Sequence, residues 1–377
     1  MWPFTDSVPA LPQVDPNFTD HVYATKHGVE LLLRVWKADP TRPDGTPAPA
    51  TEHNAQPWIL WAHGGGFTGG THYVPPAWVL PAFLRSGVHV VSYAYRLAPH
   101  ASLADQVEDA RDALHWCRDH LPCFLGDVVD VDAYAVGGES AGGTLALLNG
   151  FLSPRPRAVV DVYGISDFAD PYYEPRITGC GYDPGVMSGK FSEHEIETAI
   201  SDRDLTYALL DVPRLAPYGG IEHEHAAVER YKKRALAPEF EYTAAHRLRA
   251  DVKTHIQATG RMLRTITRYE AYDEPKDWEV ANAAQGPLGR LEADADKAAF
   301  PPTFFLHGTG DKVVPLVHST KLAATLTGLG VDVGEAYEPD QDHGFDEKYT
   351  GPEVEGWDTY IAPLVKFVVR HLRGRQE

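Results

Sequence analysis

Five short stretches of this chain are apolar almost without interruption: Trp58–Ala62, Val88–Tyr93, Ala133–Val136, Ala158–Tyr163 and Thr303–Leu306. A strand that faces water on one side alternates apolar and polar residues. A strand that does not alternate must be covered on both faces, as parallel strands are when helices pack above and below the sheet. Amphipathic stretches separate the runs. Residues 104–120 carry Val107, Ala110, Ala113, Leu114 and Cys117 on one stripe, and 316–329 and 357–372 are further helical segments. Strand and helix in alternation predict an α/β chain, with a mostly parallel central sheet and helices on both faces.

Two regions depart from this rhythm. Near the start, Val22–Ala24 and Val29–Val35 flank Lys26-His27-Gly28 and read as a β-hairpin; the Pro- and Thr-rich stretch 38–57 then reads as a loop. Between the fourth and fifth apolar runs, roughly a third of residues 190–300 are charged. There Ala245, Leu248, Val252 and Ile256 are spaced as one helix face, continued by Leu263. The expected organisation is a core of residues 1–164 and 301–377, with 165–300 inserted as a mainly helical cap or lid.

Charge and cysteine content remove several function classes. The chain has 34 basic and 53 acidic residues, a formal net charge of −19. Nucleic acids and anionic membrane surfaces are bound by basic patches that displace counterions, so neither is an expected partner. No apolar run approaches the ~18 residues of a membrane span. The N-terminus, Met1-Trp2-Pro3-Phe4, lacks the basic and apolar regions of a secretory signal, so the expected location is cytoplasmic. Three cysteines, Cys117, Cys123 and Cys180, build neither a disulfide framework nor a zinc motif. Oligomeric state is not fixed by the sequence, and a homo-oligomer is compatible with it.

The chemistry-bearing signal is Gly138-Glu139-Ser140-Ala141-Gly142, directly after the run Ala133–Val136 and opening a helical stretch. A serine on a tight strand-to-helix turn is lifted clear of the sheet, and glycines on either side remove the Cβ atoms that would clash. A plain packing turn of small residues is the competing reading, and the strand and helix around it weigh against that. A second signal, His63-Gly64-Gly65-Gly66-Phe67, follows the run Trp58–Ala62. Consecutive glycines let backbone N–H groups face a developing oxyanion. The expected donors are Gly64, Gly65 and Ala141, with His63 and Glu139 supporting from behind.

A serine needs a base, and 18 histidines compete for the role. His343, in Asp342-His343-Gly344-Phe345, follows the strand-like stretch 332–337 and precedes the last helix. Asp311 follows Thr303–Leu306 and is placed to orient the imidazole. The order Ser140, Asp311, His343 is that of an α/β-hydrolase. Asp167 and Asp342 are weaker candidates for the acid. Glu222-His223-Glu224-His225 looks metal-like but lacks the i,i+4 histidine pair of a zinc helix, and a solvated helix face explains it. No cofactor and no metal are expected.

Together with Tyr95-Arg96-Leu97-Ala98-Pro99 and Glu108-Asp109, these motifs resemble the hormone-sensitive-lipase-like branch of the α/β-hydrolases. The resemblance implies an α/β-hydrolase fold, carboxylesterase chemistry without a cofactor, a cap over the site, and a structural role for the acid at 108–109. Three departures stand out. Glu139 replaces the Asp or Thr usual beside the nucleophile, the gap from Ser140 to Asp311 is long, and N-terminal cap helices are not evident. The expected function is a serine carboxylic-ester hydrolase acting on a small-molecule ester or lactone through an acyl-enzyme. The rivals are a cyclase or dehydratase of secondary metabolism on the same scaffold, an amidase or formamidase, and a binding module without turnover.

Overall fold

The computed structural model describes residues 11–38, 55–126, 129–173, 188–219 and 223–374. The loop expected at 38–57 falls almost wholly outside them, as do Cys180 and Glu222. In chain order, β1 (Phe18–Lys26) and β2 (Val29–Trp36) are followed by β3 (Gln56–Ala62), α1 (Val79–Arg85), β4 (His89–Tyr93), α2 (Leu103–Leu125), β5 (Val129–Glu139), α3 (Ala141–Asn149) and β6 (Ala158–Val162). Among the described residues, six α-helices separate β6 from β7: α4 (Glu193–Ser201), α5 (Glu224–Ala235), α6 (Ala244–Ala258), α7 (Met262–Ile266), α8 (Pro275–Gln285) and α9 (Pro287–Ala293). The chain closes with β7 (Thr303–Gly308), α10 (Val317–Gly328), β8 (Val333–Glu338) and α11 (Ala362–Arg373).

The eight strands form one sheet in the order β1-β2-β4-β3-β5-β6-β7-β8. Pairing is antiparallel from β1 to β4 and parallel from there on. The β1–β2 hairpin turns at His27 (φ 52°) and Gly28 (φ 79°). Two left-handed residues match the twist of the flanking strands.

Side chains alternate across the sheet and build two cores. Trp58, Leu60, Tyr134, Val136 and Phe305 pack with Ala110, Leu114 and Cys117 of α2, Leu145 and Leu148 of α3, and Leu322 and Leu326 of α10. Ile59, Trp61, Ala135, Val160 and Phe304 pack on the opposite face with Phe83 of α1 and Leu364 and Val368 of α11. That double cover is why the central strands show no polar alternation.

Helix ends follow local chemistry. Ser102 and Asp105 cap α2 reciprocally, and the helix runs past the expected residue 120 to Leu125 before Gly126 (φ 81°) stops it. The segment expected as one helix over 357–372 is divided. Trp357–Ile361 forms a wide π-type turn, and α11 begins only at Ala362. Pro363 carries no N–H for a preceding turn, which favours the break there. Leu263 does not continue α6. The helix ends at Ala258, Gly260 takes φ 64°, and Leu263 enters the main core from α7.

Arg96 and Asp109 are both buried, with side chains 1% and 0% exposed. The Arg96 guanidinium donates to both carboxylate oxygens at 2.7–3.0 Å, and its backbone N–H adds a bond of 3.0 Å. Gln106 of α2 donates to Phe67 O and to Arg96 O, both at 3.0 Å. The glycine loop and the Tyr95–Pro99 loop are thus pinned to one helix. Removing one partner of such a pair strands a buried charge. Asp109→Ala is expected to lower the unfolding free energy by about 3–5 kcal/mol, read as a fall in urea midpoint at constant m-value. A loss below about 1 kcal/mol would show that the pair behaves as an exposed one.

Candidate active site

Ser140 sits between β5 and α3 with φ 56° and ψ −120°, a conformation that non-glycine residues avoid. Its neighbours explain why it holds. A Cβ on Gly142 would stand 2.0 Å from Ala62 O, and one on Gly138 would stand 2.3 Å from Gly142 O. Only glycine lets the end of β3, the end of β5 and the start of α3 meet this closely. The Ser140 N–H also donates to Val162 O at 2.8 Å, which ties the turn to β6.

Three expected residues meet in one hydrogen-bonded line. His343 Nε2 is 2.9 Å from Ser140 Oγ, and His343 Nδ1 is 2.7 Å from Asp311 Oδ2. Asp311 Oδ1 accepts from the N–H groups of Val313 (2.8 Å) and Val314 (2.9 Å). Burial works against the Asp311 charge, yet the His343 imidazole and the His307 bond hold its carboxyl well below the usual carboxylate range. The imidazole of His343 rests 4.4 Å from the Tyr163 ring.

The other acids lie elsewhere. Asp167 pairs with Lys321 at 2.6 Å. Asp342 accepts from the backbone N–H of Lys312 (3.1 Å) and of His343 (2.8 Å). Glu224, in the metal-like cluster, pairs with Arg247 at 2.7 Å.

The glycine loop brings one correction. The Gly64 N–H donates to Glu139 Oε1 at 2.5 Å, so it is occupied and does not serve as a third oxyanion donor in this arrangement. The other Glu139 oxygen accepts from Trp61 Nε1 at 2.7 Å. A carboxyl group beside the nucleophile thus fastens the glycine loop to the elbow, a reach that the longer Glu side chain provides. Among the described residues, the N–H groups of Gly65 and Ala141 have no protein acceptor outside the start of α3. His63 is buried, stacks on Tyr95 at 4.2 Å, and bonds Gly64 O through Nδ1 at 2.8 Å. Burial lowers its pKa to about 4, so it stays neutral and braces the loop.

Sequence reasoning missed several supports. His307 is fully buried, bonds Ser319 Oγ at 2.8 Å and lies 3.2 Å from Asp311 Oδ2. Its place four residues before Asp311 was the available signal. Asp346 accepts from Trp78 Nε1 (2.8 Å) and Tyr163 OH (2.5 Å), which steadies the ring beneath His343. Nothing in the local sequence marks that cluster, because its partners are far apart in the chain. A surface groove of about 580 Å³ between α1 and α11 includes none of these residues.

Residues 59–174 match the family model of the alpha/beta hydrolase fold, and residues 235–373 match that of the prolyl oligopeptidase family. Curated relatives include a 5-methylorsellinic acid synthase of Aspergillus terreus, 26% identical over 381 residues, covering 95% of this chain and 13% of that protein. A non-reducing polyketide synthase of Stachybotrys bisbyi is 27% identical over 349 residues, covering 88% of this chain and 14% of that protein. The chain therefore spans only a small fraction of these relatives' length. Among solved structures, an esterase of Pyrobaculum calidifontis superposes with a TM-score of 0.54 at 19% identity, covering 96% of this chain and 87% of that one. A fungal esterase of Rhizomucor miehei gives 0.51 at 20% identity, covering 96% and 84%. At such identities the likeness concerns the fold.

The placement of Glu139 has a pH signature. Burial, opposed by the Gly64 and Trp61 bonds, pushes its carboxyl up to about 8, with Asp346 and Glu347 adding to the rise. An acid with a raised folded pKa contributes fully below its unfolded value of about 4.3 and loses that contribution as pH climbs to the folded value. Glu139→Gln has no proton to lose there. Between about pH 5 and about pH 8, the urea midpoint of the wild type is expected to fall relative to that of Glu139→Gln. A difference that stays constant across this range would show that Glu139 titrates alike in the folded and unfolded chain.

Proposed function

We propose that this chain, an α/β-hydrolase of the carboxylesterase-like kind, is a serine acyl-transfer enzyme that opens a small-molecule ester, lactone or thioester through an acyl-enzyme. The observation that carries the reading is the unbroken line from Asp311 through His343 to Ser140 Oγ. In this reading Ser140 attacks the carbonyl carbon while His343 Nε2 takes its proton. Asp311 holds Nδ1–H, which selects the tautomer that leaves Nε2 free to accept and stabilises the imidazolium once formed. The N–H groups of Gly65 and Ala141 receive the oxyanion, each worth about 2.7–4 kcal/mol to the transition state. His343 then returns its proton to the leaving oxygen or sulfur, and an acceptor hydroxyl repeats the cycle on the acyl-enzyme. Residues 165–300 act as the lid that decides which acyl groups enter.

The relatives named as polyketide synthases support a polyketide-type acyl group over a simple fat. The same relatives favour a second fate for the acyl-enzyme, in which a hydroxyl of the substrate replaces water and closes a ring. Both fates use the same first step, and the mass of the released product separates them.

Ser140→Ala is expected to abolish labelling by a fluorophosphonate and to lower 4-nitrophenyl ester turnover by at least about 10⁴-fold. Labelling that persists at another serine would overturn the assignment. Asp311→Asn should slow both fluorophosphonate labelling and ester turnover by about 10⁴-fold while the fold persists, because the wrong tautomer leaves Ser140 without its base. An Asp311→Asn enzyme within tenfold of wild type would remove Asp311 from the mechanism.

A further inference from the structure

A carboxylate offers about four acceptor positions. On Asp311, Oδ1 takes the N–H groups of Val313 and Val314, and Oδ2 takes His343 Nδ1. The remaining position faces His307, near the end of β7, whose Nε2 stands 3.2 Å from Oδ2. Both side chains are wholly buried. The same Nε2 lies 2.9 Å from Val314 O. A carbonyl only accepts, so Nε2 carries the hydrogen, and its one N–H is shared between carbonyl and carboxylate. At the other ring nitrogen, Ser319 Oγ of α10 is 2.8 Å from Nδ1 and has no further hydrogen-bond partner among the described residues. A hydroxyl hydrogen left unpaired in the core is costly, so Ser319 donates to Nδ1. The imidazole is thereby held in its Nε2–H form.

His307 grips the acid in two ways. Directly, it supplies the fourth donor, so the carboxylate cannot turn without giving up a bond. Indirectly, it holds the carbonyl of Val314, the residue whose N–H holds Oδ1. The titratable groups that face His307 are Asp311 from the loop, Asp161 from β6 and His318 from α10, with the Tyr163 ring 6.1 Å away. Asp161 pairs in register with Phe305, two residues before His307 and on the same face of the sheet. Two buried carboxyls therefore neighbour one imidazole. Burial pushes that of Asp161 up to about 7. That of Asp311 is held low against burial, by His343 and by the His307 bond. The acid that His307 touches is the one that keeps its charge.

We propose that His307 is a positioning residue of the acyl-transfer reaction, the outer member of a line that runs His307, Asp311, His343, Ser140. Its N–H aims Oδ2 at His343 Nδ1 and keeps the negative charge on Asp311 while the imidazolium forms. It touches neither the substrate nor the nucleophile. The inference rests on the reading of Ser140 as the nucleophile and adds to it a group that sets how firmly His343 holds its proton. A carboxylate that loses a charge-assisted donor becomes more basic and stabilises a neighbouring imidazolium more strongly. Removing the N–H therefore has two effects. The imidazole is aimed less well at Ser140, and the acid limb of the activity moves to higher pH.

The test compares three substitutions in the full chain, with 4-nitrophenyl butyrate turnover expressed per serine labelled to completion by a fluorophosphonate. His307→Phe keeps the bulk of the ring and removes the donor. His307→Asn places its amide near the Nδ1 position, keeps a partner for Ser319 and still takes the donor from Asp311, so it covers a folding defect in His307→Phe. His307→Gln places an amide N–H near the Nε2 position. His307→Phe and His307→Asn are each expected to lose about 10²-fold in kcat, with KM within about threefold of wild type. In both, the acid limb of kcat/KM should move up by about 0.5–1 pH unit. His307→Gln should stay within about tenfold of wild type in kcat and keep the limb in place. In an Asp311→Asn background, His307→Phe should cost less than about threefold, because the group it acts through is gone. A merely structural role lowers the labelled fraction but leaves kcat per labelled serine and the pH limb unmoved. That result, or His307→Gln as impaired as His307→Phe, would overturn the proposal. Labelling of the wild type at a serine other than Ser140 would instead remove the nucleophile on which it rests. Labelling at Ser140 with unchanged His307 variants removes only the role of His307.

Discussion

The contact on which the rest of the site depends is the approach of two strand ends. Ala62 O lies where a Cβ on Gly142 would have to be, at 2.0 Å. This draws the glycine loop after β3 against the turn after β5. Glu139 then fastens the two with bonds to Gly64 N and Trp61 Nε1. From that junction the glycine loop reaches to α6 on its far side. Asp311 and His343 arrive from beyond the ends of β7 and β8, the second and third strands along the sheet from β5. A larger residue at 142 would displace the loop and the elbow together, because neither has anywhere else to go.

The sheet was legible because its requirements are local. Two-sided burial leaves continuous apolar runs, and a strand-to-helix serine needs glycines at set offsets. Both are visible in the order of residues. The pairing of Ser140, Asp311 and His343 followed from the topology those runs imply. What stayed hidden depends on direction in space. Nothing near Gly64 says that its N–H turns toward Glu139 and not toward the cleft. His307 directly follows the run Thr303–Leu306, yet its contact with Asp311 depends on the turn between them. Likewise the apolar spacing of Val252 and Ile256 located α6 but was silent about its opposite face, where Arg249 and Lys253 meet the loops. The helix was extended too far, to Leu263, because periodicity alone does not register the turn at Gly260.

Charge in the interior is distributed by function as well as by packing. Around the glycine loop, the Arg96–Asp109 pair is closed upon itself and holds structure. Glu139, whose carboxyl burial pushes up to about 8, avoids the charge by keeping its proton and still accepts two N–H groups that hold geometry. The two illustrate different solutions to the same desolvation cost.

The residues that meet at Ser140 come from Gly64, Glu139, Asp311 and His343, nearly the full breadth of the described sequence. No hairpin or helix pair brings any two of them together on its own. The arrangement is acquired only when strands distant in the chain have docked in register, so loop-closure entropy is settled before any of these contacts forms. Partly folded forms of this chain would own every one of the necessary side chains and still present none of them to a carbonyl. The site therefore exists only where β3, β5, β7 and β8 stand in their places in the sheet, and its activity reports on those four strands together.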